Sequence, residues 1–455
     1  MSAPRSAAPH LVSVSIAIFL CTLSLSAFAR KPVPPPPEPP PPPPGVTVRV
    51  SVAADGTQGN LSSSGVAMTP DTRYVAFSSD AGNLVAGDTN AKGDVFVHDR
   101  ATGGIERVSI ASDGTEANNW SYGASISADG RYVAYYSYAT TLVSGEQHYY
   151  CHVYLHDRVA HTTERISVAS DGAPANSFSY DPAVSADGRY VAFESYASNL
   201  AAGDTNGQMD VFVRDRVAGT TERVSVAADG TQANAGSGVL QVSSDGRYVL
   251  FQSTASNLVA ADTNASTDLF LYDRVTRAPE RVNLGVGGVQ ANGDNYGGIM
   301  SADARWVVFG SEATNLVSGD TNGYLDVFLR DRSTGAVERV SVASNGSQAS
   351  WGDSFIGGVS TDGNVVAFIS FADNLGGPDI GGYGDVFVRI RSTAATERVS
   401  VALDGGEADS DAGFSTPLVS ADGVFVLFDS LASDLVEGDT NHATDVFLRE
   451  RYNSP

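Results

Sequence analysis

The sequence predicts an all-β fold, a seven-bladed β-propeller of four-stranded antiparallel blades, and three observations predict it. An Arg-Val-Ser or Arg-Ile-Ser signature, with Asn for Ser once, recurs at Arg49, Arg107, Arg165, Arg223, Arg281, Arg339 and Arg398, at intervals of 58 residues five times and 59 once. A fixed period of this size marks a series of equal supersecondary units. Each unit contains four short strand-like runs and no helical period, and its strands are apolar on both faces, as small sheets packed between two neighbours must be. The last unit stops at Arg451 without an outer strand, whereas a surplus strand, 48–53, stands before the first unit. Pairing that strand into the last blade closes the ring and leaves no open edge.

The elements follow in chain order. Residues 1–29 carry Arg5, an apolar run over 11–25 and Ala27-Phe28-Ala29, the layout of a cleavable secretory signal. An apolar run this short is poor as a membrane anchor, so no membrane insertion is expected after cleavage. Cleavage removes Cys21 and leaves Cys151 as the sole cysteine, so the fold must stand on its core without an internal disulfide. Residues 30–46 form a spacer whose stretch "PVPPPPEPPPPPP" lacks backbone donors and predicts a polyproline II rod of roughly 40 Å, at about 3.1 Å per residue. The propeller is expected over 47–455. In its third unit "DPAVS" (181–185), an Asp187-Gly188 turn and "RYVAFES" (189–195) read as a hairpin. A polar loop over 196–209, the strand "DVFVRDR" (210–216), a short connection and the outer strand "ERVSVA" (222–227) complete the unit.

Charge narrows the partners. Against 28 Lys and Arg the chain carries 52 Asp and Glu, a net −24, and only two of the cations are lysine, Lys31 and Lys92. So acidic a surface repels nucleic acid and anionic membranes and favours cations or basic partners. Arginine at fixed repeat positions points to planar, paired roles. Asp215-Arg216 and Glu222-Arg223, echoed at Asp99-Arg100 with Glu106-Arg107 and at Asp331-Arg332 with Glu338-Arg339, are expected to pair across their hairpin and set its register.

The two hairpin turns of a unit lie on one face of the propeller and are tight. The opposite face carries the loop between the second and third strands and the link between blades. A typical blade takes about 40–45 residues, so roughly 15 are spare in each unit here and fall on this face, the expected working face.

One loop motif recurs there. "GDTNGQMD" has counterparts that place Asp88, Asn90 and Asp94, Asp204, Asn206 and Asp210, Asp262, Asn264 and Asp268, Asp320, Asn322 and Asp326, and Asp439, Asn441 and Asp445 at equal spacing. The opening matches a calcium loop, but the later ligands of an EF-type loop are missing, and three side-chain oxygens fall short of the six to eight that calcium takes. The alternative is turn chemistry, in which Asp and Asn side chains bond to nearby backbone N–H groups. Calcium is the one candidate cofactor. In the second unit Glu146, His148 and His152 stand in the place of this motif beside Cys151, a set suited to zinc or copper if it holds a metal and otherwise a degenerate loop.

Aromatic residues open several inner strands near the expected channel mouth: Trp120, Tyr122, Phe178, Tyr180, Tyr296, Trp351, Phe355 and Phe414. Those that are buried pack between blades. Exposed rings among Asn and Asp would suit a glycan or another ligand that stacks and hydrogen-bonds. No nucleophile elbow, zinc-protease motif or phosphate-cradling loop is present, so no catalytic residue is assigned.

The runs "VSADGRYVAF" (184–193), "ISADGRYVAY" (126–135) and "VSSDGRYVLF" (242–251), each followed by a "DVFVRDR"-type strand, resemble the repeat of the TolB-type, WD-like β-propellers of bacterial envelope proteins. The resemblance spans all seven units and implies the fold and an envelope setting, periplasmic or secreted. The chain departs from TolB itself in having seven blades rather than six and no α/β domain ahead of them. The expectation is a non-catalytic, monomeric propeller that binds an envelope protein or a polysaccharide through its loop-rich face. The alternatives are a hydrolase or lyase with its site in the central channel, or a structural surface or adhesion scaffold.

Overall fold

The computed structural model describes residues 45–145, 150–377 and 381–451. The expected signal and nearly all of the spacer lie outside these residues, as do Glu146 and His148. The described chain folds as seven four-stranded antiparallel sheets; six run from inner to outer strand in sequence, and the last takes its outer strand from the beginning of the chain. In the third blade the strands are Ser179–Val184, Tyr190–Ser195, Asp210–Asp215 and Thr220–Arg223. Among the described residues no helix is long and apolar enough to cross a membrane.

The ring closes as the strand count requires. Thr47–Arg49 pairs antiparallel with the third strand of the last blade, Thr47 opposite Arg449 and Arg49 opposite Phe447, and Val50 N–H extends the ladder to Val446 O at 2.7 Å. The regular strand is shorter than the expected 48–53. Past Val50 the chain turns back, and Val52 bridges Gln58 in a small loop found again at the same place in every unit.

Apolar residues alternate to both sides of each sheet, and the core is a series of layers between blades. Val211 and Val213 of the third blade share one cluster with Val249 and Phe251 of the fourth, and Val75 and Phe77 of the first share another with Leu427 and Val446 of the last. The two middle strands of each blade also stack a pair of rings, as in Phe193 on Phe212 at 5.8 Å. Gly188 shows why the turn of this blade takes glycine, although Thr72 and Ala304 hold the same place in the first and fifth blades. The φ of Gly188 is +71°, and a Cβ there would lie 2.0 Å from the Tyr132 ring of the preceding blade.

The expected pairing of Asp215-Arg216 with Glu222-Arg223 does not form. The register sets Asp215 opposite Thr220 and Phe212 opposite Arg223, which separates Asp215 from Arg223 by three strand positions, about 10 Å. Asp215 is instead gripped by Arg189, through Nε at 3.0 Å and Nη2 at 2.8 Å. Arg216 crosses the seam to Glu164 of the preceding blade at 2.6 Å and stands over the Tyr132 ring at 4.5 Å. The charges that the sequence placed within one hairpin therefore latch neighbouring blades together.

Candidate functional site

The loop-rich face is built on the repeated Asp-Thr-Asn motif, and each of its side chains has a place in the fold. The arginine of the Arg-Val-Ser signature reaches both aspartates: Arg107 Nη1 lies 3.1 Å from Asp88 and 3.3 Å from Asp94, and Arg339 Nη1 lies 3.1 Å from Asp320 and 2.9 Å from Asp326. Arg223 does the same between Asp204 and Asp210 at 3.3 and 3.5 Å, Arg281 between Asp262 and Asp268 at 3.5 and 3.0 Å, and Arg49 between Asp439 and Asp445 at 3.2 and 3.5 Å. Burial pushes the Asp94, Asp210 and Asp445 carboxyls up, opposed mainly by a hydrogen bond from a buried serine hydroxyl.

The asparagine stitches the loop to the next link. Asn206 Nδ2 donates to Asp210 at 3.0 Å and to Ala233 O at 3.1 Å. Asn90, Asn264, Asn322 and Asn441 each repeat both bonds, to the strand-opening aspartate and to a carbonyl of the following link. The strand-opening aspartate also takes the hydroxyl of the serine in Arg-Val-Ser, Ser225 Oγ to Asp210 at 2.6 Å. In the second blade His152 fills this position, fully buried, with Nδ1 3.0 Å from Ser167 Oγ. Its neighbour Cys151 is also buried and donates to Ser179 O at 3.0 Å, and burial pushes its thiol up, so it stays protonated at neutral pH. Among the described residues no group of three His, Cys, Asp or Glu side chains is placed to hold a metal ion.

The aromatic candidates divide in two. Around the second and third blades they form a packed chain: Tyr122 lies 6.3 Å from Tyr136, Tyr136 meets Tyr180 edge-on at 5.7 Å, and Tyr180 stacks on Phe178 at 5.9 Å. Tyr180 is only 6 % exposed. Trp120 is 44 % exposed, but the Lys92 ammonium covers its ring at 4.1 Å. Around the fifth and sixth blades the rings face outward: Tyr296, Phe355 and Phe371 are exposed, Phe355 meets Phe371 edge-on at 6.2 Å, and Trp351 is 79 % exposed. Phe414 of the last blade is exposed as well.

Two residues that sequence reasoning passed over lie beside the packed chain. Asp181 sits in the bulge of the third inner strand with φ +46°, and Glu194, 5 % exposed, follows on the adjacent strand. Burial, and after it the Asp181 charge, pushes the Glu194 carboxyl up to about 8. The equivalent of Asp181 is glycine in the first, second and fifth units, and that of Glu194 is Ser78, Tyr136 and Gln252 in the first, second and fourth. This break in the repeat is the signal that could have found them. In the last blade Asp429 takes the Glu194 position and is held by Ser415, whose N–H and hydroxyl donate at 2.9 and 2.5 Å.

No protein-family model matches the sequence, and no curated protein is significantly similar to it. Solved structures match over most of its length. The chain is similar to an oligogalacturonate lyase solved in complex with manganese, at 13 % identity over 90 % of this chain and 94 % of that one, with a TM-score of 0.55. It is also similar to a prolyl endopeptidase, at 11 % identity over 86 % of this chain and 50 % of that one, with a TM-score of 0.51, so it spans half the length of that enzyme. TolB from Acinetobacter baumannii is among the matches, at 16 % identity over 74 % of this chain and 62 % of that one, with a TM-score of 0.39. The chain is a seven-bladed β-propeller. At these identities the likeness is one of fold, and a propeller fold hosts many functions.

Proposed function

We propose that this chain is a periplasmic or secreted, non-catalytic propeller that binds an envelope protein or a polysaccharide through its loop-rich face. The observation that carries this reading is the exposed ring of Trp351 beside Phe371 and Phe355, since large rings left open on one face are what binding surfaces retain. The signal-like layout of residues 1–29 supports the setting. On the opposite face the recurrent rings, such as Tyr132 and Tyr190, are covered by guanidinium groups. The test is capture from envelope extracts together with a glycan array, using wild type and Trp351→Ala. A partner or glycan retained by the wild type and lost by the variant supports the reading; equal retention by both, or none, overturns it.

A second reading, a hydrolase or lyase acting in the channel, is favoured by Asp181 and Glu194, a carboxyl pair found in no other blade. Turnover of a glycan or peptide that disappears in Glu194→Gln would establish it. For the Asp-Thr-Asn loops we propose the turn reading, with the signature arginine in the place a cation would take. Melting is then unchanged by millimolar calcium, whereas a rise following RT ln(1 + [L]/Kd) per site would assign these loops to calcium.

A further inference from the structure

The repeat interval lengthens from 58 to 59 residues once, between Arg339 and Arg398, and the structure identifies the extra residue. Asn292 and Ser350 hold the same place, each N–H donating to an asparagine of its own blade at 3.1 Å. Asp294 and Asp353 also hold one place, their carbonyls accepting from Glu312 and Phe371 N–H. Between these markers stand Gly293 in the fifth blade and Trp351-Gly352 in the sixth. Gly352 takes the role of Gly293, since a Cβ on either would strike the backbone alongside it. Trp351 is therefore the insertion. It is held at φ +65°, a conformation that penalises bulky side chains, and its ring points into solvent. Strain of this kind, held by surroundings that do not need the ring, is a mark of functional sites.

The charge around Tyr296, on the same rim, indicates what this surface receives. Asp294, Glu312 and Asp353 act together on Tyr296, whose hydroxyl donates to Glu312 at 2.9 Å. Among the described residues none of these three carboxylates forms an ion pair with Lys or Arg. The other exposed tryptophan displays the complementary arrangement within the molecule, the Lys92 ammonium seated on Trp120. Trp351 stands two residues before Asp353, and among the described residues no Lys or Arg lies over its ring.

We propose that the aromatic and acidic rim of the fifth and sixth blades captures a Lys or Arg side chain of a basic polypeptide segment, with the cation over Trp351. The net charge of −24 steers such a partner in and repels an anionic polysaccharide. A neutral glycan could stack on the rings and donate hydroxyls to the carboxylates but would leave their charge uncompensated. The inference rests on the proposed role of the loop-rich face and names its ligand chemistry.

The test is a calorimetric titration at physiological salt with a ten-residue Lys-Ala peptide, its fully acetylated form and a neutral glucan oligosaccharide. The Lys-Ala peptide binds, acetylation weakens it at least tenfold, and Glu312→Gln weakens it several-fold. Trp351→Gly loses at least tenfold while its melting temperature holds or rises, because glycine suits that backbone; Leu61→Ser, on the first blade, leaves affinity unchanged. An affinity for the Lys-Ala peptide that survives Trp351→Gly, or is unaffected by acetylation, overturns the inference. Glucan binding that depends on Trp351, without peptide binding, overturns it too but leaves the loop-rich face as a binding surface. Binding of neither ligand counts against both.

Discussion

The two faces of this propeller come from the same seven repeats and use aromatic rings in opposite ways. On the tight-turn face Tyr74, Tyr132, Tyr190, Tyr248 and Trp306 each lie between two guanidiniums, as Tyr190 does between Arg189 at 4.8 Å and Arg274 at 4.2 Å. One of those arginines comes from the next blade and also binds a glutamate in the ring's own blade, as Arg274 binds Glu222 at 2.6 Å. On the loop-rich face the repeat places arginine only within the Asp-Thr-Asn loops, and the rings beyond them vary from blade to blade. A face that latches blades must be the same at every seam. A face free of that task can hold residues such as Trp351, Asp181 and Glu194 that occur once.

The closing seam is where the comparison is most exposed to test. Its arginine is Arg100, which stands over Phe425 at 4.8 Å, but Val48 occupies the position that holds Glu222 in the third blade. Closure therefore depends on the strand itself. Deleting residues 46–54 uncovers the edge Asp445–Glu450 and should cost on the order of 4 kcal/mol; denaturant unfolding of that deletion with an unchanged midpoint would break the account of closure.

The next largest effect belongs to the loop-rich side. Folding raises the Glu194 carboxyl from the usual 4.5 to about 8, so between those values the folded chain keeps a proton that the unfolded chain releases. The contribution of Glu194 to native stability then declines as pH rises through this range. Glu194→Gln should remove most of that slope in melting measured across the pH range, and an identical slope in the variant would show that its source lies elsewhere. On the opposite face Arg274→Ala removes a ring contact and a charge-assisted bond at once and should lose about 2 kcal/mol. Arg100→Ala should lose less, since the closing seam lacks the glutamate; equal losses would mean that the glutamates add nothing.

Smaller effects sharpen the contrast. Trp351→Gly should gain about 1 kcal/mol, because the left-handed backbone suits glycine, and a loss would show that the ring packs rather than waits for a ligand. Val48→Glu should add the missing latch opposite Arg100 for roughly 0.5 kcal/mol, the scale of an exposed pair, measurable as a raised melting temperature only at low salt.

Much of this molecule was legible in one dimension. The 58-residue interval, the Asp-Gly hairpins and the surplus strand at the start determined blade number, strand order and closure, because each depends on local turn chemistry or on counting. Ser185, Asp187 and Gly188 make their turn from within, Ser185 Oγ to Asp187 at 2.7 Å and Arg189 N–H to Asp187 at 3.0 Å, and any chain carrying them would do much the same. The partners of the charges were decided only in three dimensions. Arg216 finds Glu164 across a seam and Arg223 finds Asp204 within a loop, although hairpin spacing alone would pair neither. The exposure of Trp351 and the burial of Tyr180 were equally out of reach, since both rings open the same kind of strand. What separates them is the neighbouring blade: Tyr180 is covered by Tyr136 and Phe178, whereas the residue inserted at Trp351 lifts its ring beyond any such cover.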